Sequence, residues 1–149
     1  MKIAAGWDHR GRVFRERVKD AIETLGHEFV DMGAPDEAPS DYPDYAFRVG
    51  EAVRDGECDM GVLVCGSGIG VDIAANKVKG VRAATAHDVE TARLSRSHNN
   101  ANVLCLSEKT AASDVFPSIL RTWFVTPPPT EGRHVRRVGK ITAYEERRG

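Results

Sequence analysis

The sequence predicts a doubly wound α/β fold: a five-stranded parallel sheet with helices on both faces. Three observations carry that prediction. Short β-branched, apolar runs alternate with longer segments whose apolar residues recur at helical spacing. The run Met60 to Val64 passes directly into three alternating glycines and then an alanine-rich helix. Polar loop residues gather near the strand ends, where sheets of this kind hold ligands. At 149 residues the chain is read as one domain, residues 1–149, with a helical tail from about residue 131.

The elements follow in order. Lys2 to Gly6 is a first strand and Trp7 to Gly11 a turn. Phe14, Val18, Ala21, Ile22 and Leu25 recur at helical spacing, which predicts a helix over Arg12 to Leu25, ended by Gly26. His27 to Asp31 is a second strand. Gly33 to Pro43 carries three prolines and reads as loop, with Pro43 opening a helix over roughly Asp44 to Asp55. The strand Met60 to Val64 and the glycine turn follow. Gly80 to Ala84 is a fourth strand, His87 to Arg96 a helix, and Ser97 to Asn100 polar loop. Ala101 to Leu106 is a fifth strand and Thr110 to Phe124 a helix. Thr126 to Thr130 breaks the chain before a charged helix over Arg133 to Arg148. After a proline break that helix is free to pack on a partner subunit through Val135, Val138 and Ile141.

Composition narrows the function. The formal net charge is -1, so no global field draws nucleic acid or an anionic membrane. No apolar run reaches the ~18 residues of a membrane span. The three cysteines, Cys58, Cys65 and Cys105, form no zinc-ligand spacing, and an odd count points to free thiols and a cytoplasmic setting. Gly66, Gly68 and Gly70 are spaced unlike a dinucleotide fingerprint, and no Gly-Lys-Ser or Gly-Lys-Thr marks a phosphate-binding loop of nucleotide hydrolases. A small anionic ligand is preferred.

Cys65 stands at the mouth of the glycine turn, at a positive helix end that biases a thiol toward thiolate. It reads equally well as a small buried residue, as Cys58 and Cys105 do; three glycines after it favour function. Asp8-His9 fits a helix cap, and His98-Asn99 an ordinary polar loop. Arg133 and Arg137 lie four apart on one helix side, a geometry that can fork a phosphate as well as face solvent.

The chain resembles the ribose-5-phosphate isomerase B family, which includes allose- and galactose-6-phosphate isomerases. The matching segments are Gly6-Trp7-Asp8-His9, Asp41 to Ala46, Cys65 to Gly70, Ile73 to Lys77, Gly80 to Ala83, Leu94 to Leu104 and Gly132 to Val138. The resemblance implies a Rossmann-like fold and aldose–ketose isomerisation through a cis-enediolate, with no metal or organic cofactor. It implies Cys65 as the base between C1 and C2, Ser67 assisting proton traffic, and Gly66, Gly68 and Gly70 framing an oxyanion site. His98 and Asp8 would open the sugar ring, with Asn99 and Tyr42 orienting the substrate. His9, Lys109, Arg133 and Arg137 would hold the phosphate. Some relatives use a glutamate base instead; Val71 occupies that position here, which puts this chain in the cysteine branch.

The resemblance also implies a homodimer, sometimes a tetramer, whose sites are shared between subunits. Ribose 5-phosphate is the expected substrate; a six-carbon aldose 6-phosphate, or a catalytically silent sugar-phosphate-binding subunit, are the alternatives. Trp7 and Arg10 replace small residues beside the Asp-His pair, so a shortened sugar site and an extra cation are expected. Lys109 keeps the charge of an arginine but not its fork. The Pro127-Pro128-Pro129 loop departs from the family pattern.

Overall fold

The computed structural model describes residues 1–148. Five parallel strands are arranged in the order β2-β1-β3-β5-β4: β1 (Lys2–Trp7), β2 (Glu28–Asp31), β3 (Met60–Cys65), β4 (Ala83–Thr85) and β5 (Val103–Ser107). The seven helices are α1 (Arg15–Thr24), α2 (Tyr42–Arg54), α3 (Ile69–Ala75), α4 (Val89–Ser97), α5 (Glu108–Ala112), α6 (Phe116–Val125) and α7 (Gly132–Arg148). The chain leaves β1 for β2 on one side and returns to β3 on the other. That reversal opens a crevice at the carboxyl ends of β1 and β3.

Both sheet faces are buried, as a parallel sheet requires. The period-two alternation of a strand divides the core. Ile3, Ala5, Trp7, Val62, Val64, Leu104 and Leu106 pack with Val18 and Ile22 of α1 and Phe116, Ile119 and Trp123 of α6. Ala4, Leu63, Cys65, Val103 and Cys105 pack with Ala46 and Val49 of α2 and Val71, Ala74 and Ala75 of α3. Cys65 therefore faces α2 and α3, and Trp7 faces the opposite layer. Cys58 and Cys105 are buried free thiols, and burial pushes both thiols up.

Three elements differ from the sequence prediction. The helix expected over Arg12 to Leu25 begins as a 3-10 turn, Gly11–Phe14. Asp8 Oδ1 accepts the N–H groups of Arg10 and Gly11, each at 3.0 Å, and this local turn competes with a regular helical start. The fourth strand covers Ala83–Thr85, because side-chain amides take the backbone before it. Asn102 accepts from Arg82 N–H at 2.8 Å and donates to the Gly80 carbonyl at 2.9 Å. The helix expected over Thr110 to Phe124 is two helices. Pro117 has no N–H and its ring would clash with the carbonyl four residues back, so α5 stops and Pro117 opens α6. In α2 the helix begins at Tyr42, with Pro43 in its first turn.

Candidate active site

The turn after β3 is built around Gly68. Its backbone sits at φ 78°, a left-handed conformation that favours glycine. A Cβ there would lie 3.0 Å from the Leu106 carbonyl carbon and from Ser107 N. This close approach turns the Gly68 N–H back onto Cys65, to whose Sγ it donates at 3.2 Å. Cys65 is only 5 % exposed, at the floor of the crevice. Ser67 is exposed beside it, and its Oγ accepts from Ile69 N–H at 3.2 Å. Gly66 is exposed, and a Cβ there would meet nothing within 4 Å. Gly70 lies under the Tyr42 ring, where a Cβ would come within 2.6 Å of Cζ.

A brace behind the turn was not legible as such in the sequence. Thr85 Oγ1 lies 3.0 Å from the Gly68 carbonyl oxygen and 2.7 Å from Asp72 Oδ2. Asp72 Oδ1 accepts from Asn76 Nδ2 at 2.7 Å. Asn76 in turn holds Ala83 at both its N–H (2.9 Å) and its carbonyl (3.0 Å). The only signal available was the i,i+4 spacing of Asp72 and Asn76 on the helix after the glycines.

Asp8 and His9 follow β1 on the neighbouring strand. Asp8 is 7 % exposed, and its Oδ1 is committed to the turn described above. His9 is fixed against Ser40, a residue that sequence reasoning missed: its N–H donates to Ser40 Oγ at 3.0 Å. Lys109 is exposed on the first turn of α5, just past the end of β5. Tyr42, Asp8, His9, Cys65, Ser67, Gly66, Gly68, Gly70 and Lys109 thus share the rim where the strands end.

Two expectations are corrected here. Trp7 does not shorten this crevice: it is fully buried on the opposite face, stacked on Phe29 with ring centroids 6.3 Å apart. Arg10 is not a free extra cation, because Glu108 Oε2 lies 3.3 Å from its guanidinium.

The remaining predicted residues lie at the other rim. Helix α4 runs back from the end of β4, so its C-cap His98 stands where the strands begin. Asn102, a few residues on, accepts from Gly61 N–H near the start of β3. The His98 ring stacks on His134 of α7, with centroids 4.0 Å apart and planes at 10°. Arg133 and Arg137 are exposed on the same helix, and Asn99 is exposed beside His98. His134 has its pKa lowered, first by burial and then by the charges of His98, Arg133 and Arg137. A six-residue strand separates the two rims, roughly 17–20 Å.

Among the described residues no group of three or more His, Cys, Asp or Glu converges as a metal site. Among the same residues no helix is long and apolar enough to cross a membrane.

The architecture coincides with that of known proteins. A family model described as Ribose/Galactose Isomerase matches residues 3–141. The chain belongs to the ribose/galactose isomerase family. It is an aldose–ketose isomerase by that membership. The chain is 40% identical to ribose-5-phosphate isomerase B of Escherichia coli over 147 residues, which span 99% of this chain and 98% of that one. It matches the structure of Clostridium thermocellum ribose-5-phosphate isomerase B at a TM-score of 0.93 and 42% identity, covering 100% of both chains. It also matches ribose-5-phosphate isomerase B from Mycoplasma genitalium, determined with bound ribulose-5-phosphate, at a TM-score of 0.88 and 39% identity. That match covers 97% of this chain and 96% of the other.

Proposed function

We propose that this isomerase interconverts ribose 5-phosphate and ribulose 5-phosphate through a cis-enediolate, with Cys65 as the base. The observation that carries the reading is the Gly68 N–H directed at Cys65 Sγ, which holds the sulfur at the mouth of a glycine turn. The Cys65 thiolate takes the C2 proton of the open-chain aldose and returns it to C1. The negative charge that develops on O1 and O2 meets the N–H groups of the turn. Gly68 and Ile69 spend theirs on Cys65 and Ser67, which leaves Gly66, Ser67 and Gly70 as donors to the substrate. The Ser67 hydroxyl relays the proton between O1 and O2. The proton shuttles within the substrate, so the step consumes no oxidant or metal.

The site is completed by a second copy of the chain. His98, Asn99, Arg133 and Arg137 stand at the far rim and cannot reach Cys65 of their own chain. A partner packed in the opposite sense brings them to it: His98 for ring opening with Asp8, Asn99 beside Tyr42 at the sugar, and the arginines for the phosphate with His9 and Lys109. Helix α7 supports this arrangement. None of its residues is buried, and Val135, Ile141 and Tyr144 are 40 %, 54 % and 55 % exposed. These residues give a second copy an apolar stripe to cover.

The experiment is a coupled isomerisation assay over four- to six-carbon aldose and ketose phosphates, with Cys65→Ala alongside. We expect the five-carbon pair to give the highest kcat/KM. Loss of the general base lowers kcat by at least ~10²–10⁴-fold. EDTA treatment leaves the rate unchanged. A higher kcat/KM for a six-carbon 6-phosphate overturns the substrate, and near-normal turnover by Cys65→Ala overturns the mechanism.

A further inference from the structure

The ring of His9 faces Ser40. The Ser40 N–H is directed at His9 Nδ1, with N to N at 3.1 Å. The Ser40 carbonyl oxygen lies at the same 3.1 Å from that nitrogen. Nδ1 thus faces one N–H donor and one carbonyl acceptor at 3.1 Å from a single residue, whose hydroxyl stands farther off at 3.5 Å. In the neutral ring only one of the two can be satisfied. If Nδ1 carried the hydrogen, the Ser40 N–H would point at another N–H. If Nδ1 is bare, it accepts from Ser40 and leaves a carbonyl with one bond fewer, which proteins tolerate better than an orphaned N–H. The neutral ring is then the tautomer with its hydrogen on Nε2. A second proton goes to Nδ1, where the Ser40 carbonyl receives it without a change of ring position. The backbone behind the ring is held as well, through His9 N–H on Ser40 Oγ. The charged neighbours in sequence are Asp8, Arg10 and Asp41, and none of them bonds the ring.

We infer that Ser40 is a positioning residue that keeps His9 Nε2 a hydrogen-bond donor in both protonation states. His9 then always presents a donor, never a lone pair, to an anionic oxygen in the crevice. This deepens the reading of His9 as a phosphate ligand and, for the ligand's identity, rests on it.

Two measurements test the inference. Two-bond ¹H–¹⁵N spectra of the full chain, labelled at histidine and free of substrate, read each ring's tautomer; loss of one signal set in His9→Gln assigns His9. We expect Nε2 to stay pyrrole-like across the titration while Nδ1 moves from pyridine-like to protonated as the pH falls. A pyridine-like Nε2 at high pH overturns the tautomer. The second measurement is kinetic. Gln places an amide N–H near the Nε2 position and Asn places one near Nδ1. His9→Asn should raise KM for ribose 5-phosphate about tenfold, the worth of a hydrogen bond to a charged group, with little change in kcat. His9→Gln should restore most of that loss. KM values raised equally in the two variants overturn the donor at Nε2. An unchanged KM in both, with the tautomer as expected, overturns the phosphate role and leaves the cradle standing.

Discussion

Cys65 closes β3 at the rim where the strands end, and His98 caps α4 at the rim where they begin. A six-residue strand keeps them roughly 17–20 Å apart, far beyond any shared contact with one sugar. The site proposed above therefore draws on two chains, the Cys65 rim of one and the His98 rim of a second copy.

That separation makes complementation the direct test of the shared site. Cys65→Ala and Arg137→Ala are each expected to be nearly inactive as homo-oligomers. Refolded together, they form mixed dimers in which one site carries both defects and the other carries none. At equal amounts, half the dimers are mixed and half their sites intact, so about a quarter of wild-type activity should return if assembly is random. An inactive mixture, with mixed dimers confirmed by mass spectrometry, would show that each site is built from one chain.

The brace behind the glycine turn predicts a loss in kcat rather than in KM. Thr85→Val removes the hydroxyl that lies between the Gly68 carbonyl and Asp72. The turn then loses its anchor, and the Gly68 N–H drifts from Cys65 Sγ. A misplaced catalytic group commonly costs ~10²-fold. We expect a fall in kcat of about 10–100-fold, KM within a factor of about three, and restoration by Thr85→Ser. A valine variant with wild-type kcat would show that the turn holds its shape unaided.

Much of this was legible in the sequence, for stateable reasons. The five strands are apolar runs bounded by breakers, and Gly66, Gly68 and Gly70 announce the turn. Pro117 also announced the break between α5 and α6, but the apolar period across it was the stronger signal. Ser40, Thr85 and Asn76 act through partners 31, 17 and 7 residues away, and only folding brings those together. Trp7 was misplaced because side-chain parity is fixed within a strand, while the facing of each strand depends on the sheet. Its phase with Ile3 and Ala5 put it in the layer away from Cys65.

The buried position of Trp7 yields a stability prediction. A Cβ at Gly33 would fall 2.1 Å from Trp7 Cε2 and 2.2 Å from Nε1. Trp7 is fully buried and stacked on Phe29, so it has little room to retreat. Overpacking of this kind costs about 1–3 kcal/mol. Gly33→Ala should lower the urea midpoint accordingly, with Gly33→Ala/Trp7→Phe recovering part of the loss. An unchanged midpoint for the single variant would mean that the loop yields without cost.

Cys105 predicts the shape of the alkaline stability limb. It is fully buried beneath the active-site turn, and burial holds its thiol well above the ordinary range, with the Asp72 carboxylate and Cys65 adding to the effect. Below the unfolded thiol's pKa of roughly 8.5, both states keep the proton and Cys105 gives no pH dependence. Above it the unfolded chain releases that proton and the folded chain does not. The unfolded state then binds fewer protons, so stability falls as pH rises, by about 1.4 kcal/mol per unit for this one group. Cys58 is shifted in the same direction and adds its own share. Cys105→Ala should be less stable near pH 7, because it leaves a small cavity, yet lose stability less steeply between pH 9 and 10.5. Urea unfolding under reducing conditions across that range measures both. If the variant and the parent fall in parallel, Cys105 ionises as readily in the folded protein as in the unfolded one, and its buried thiol is not the source of the limb.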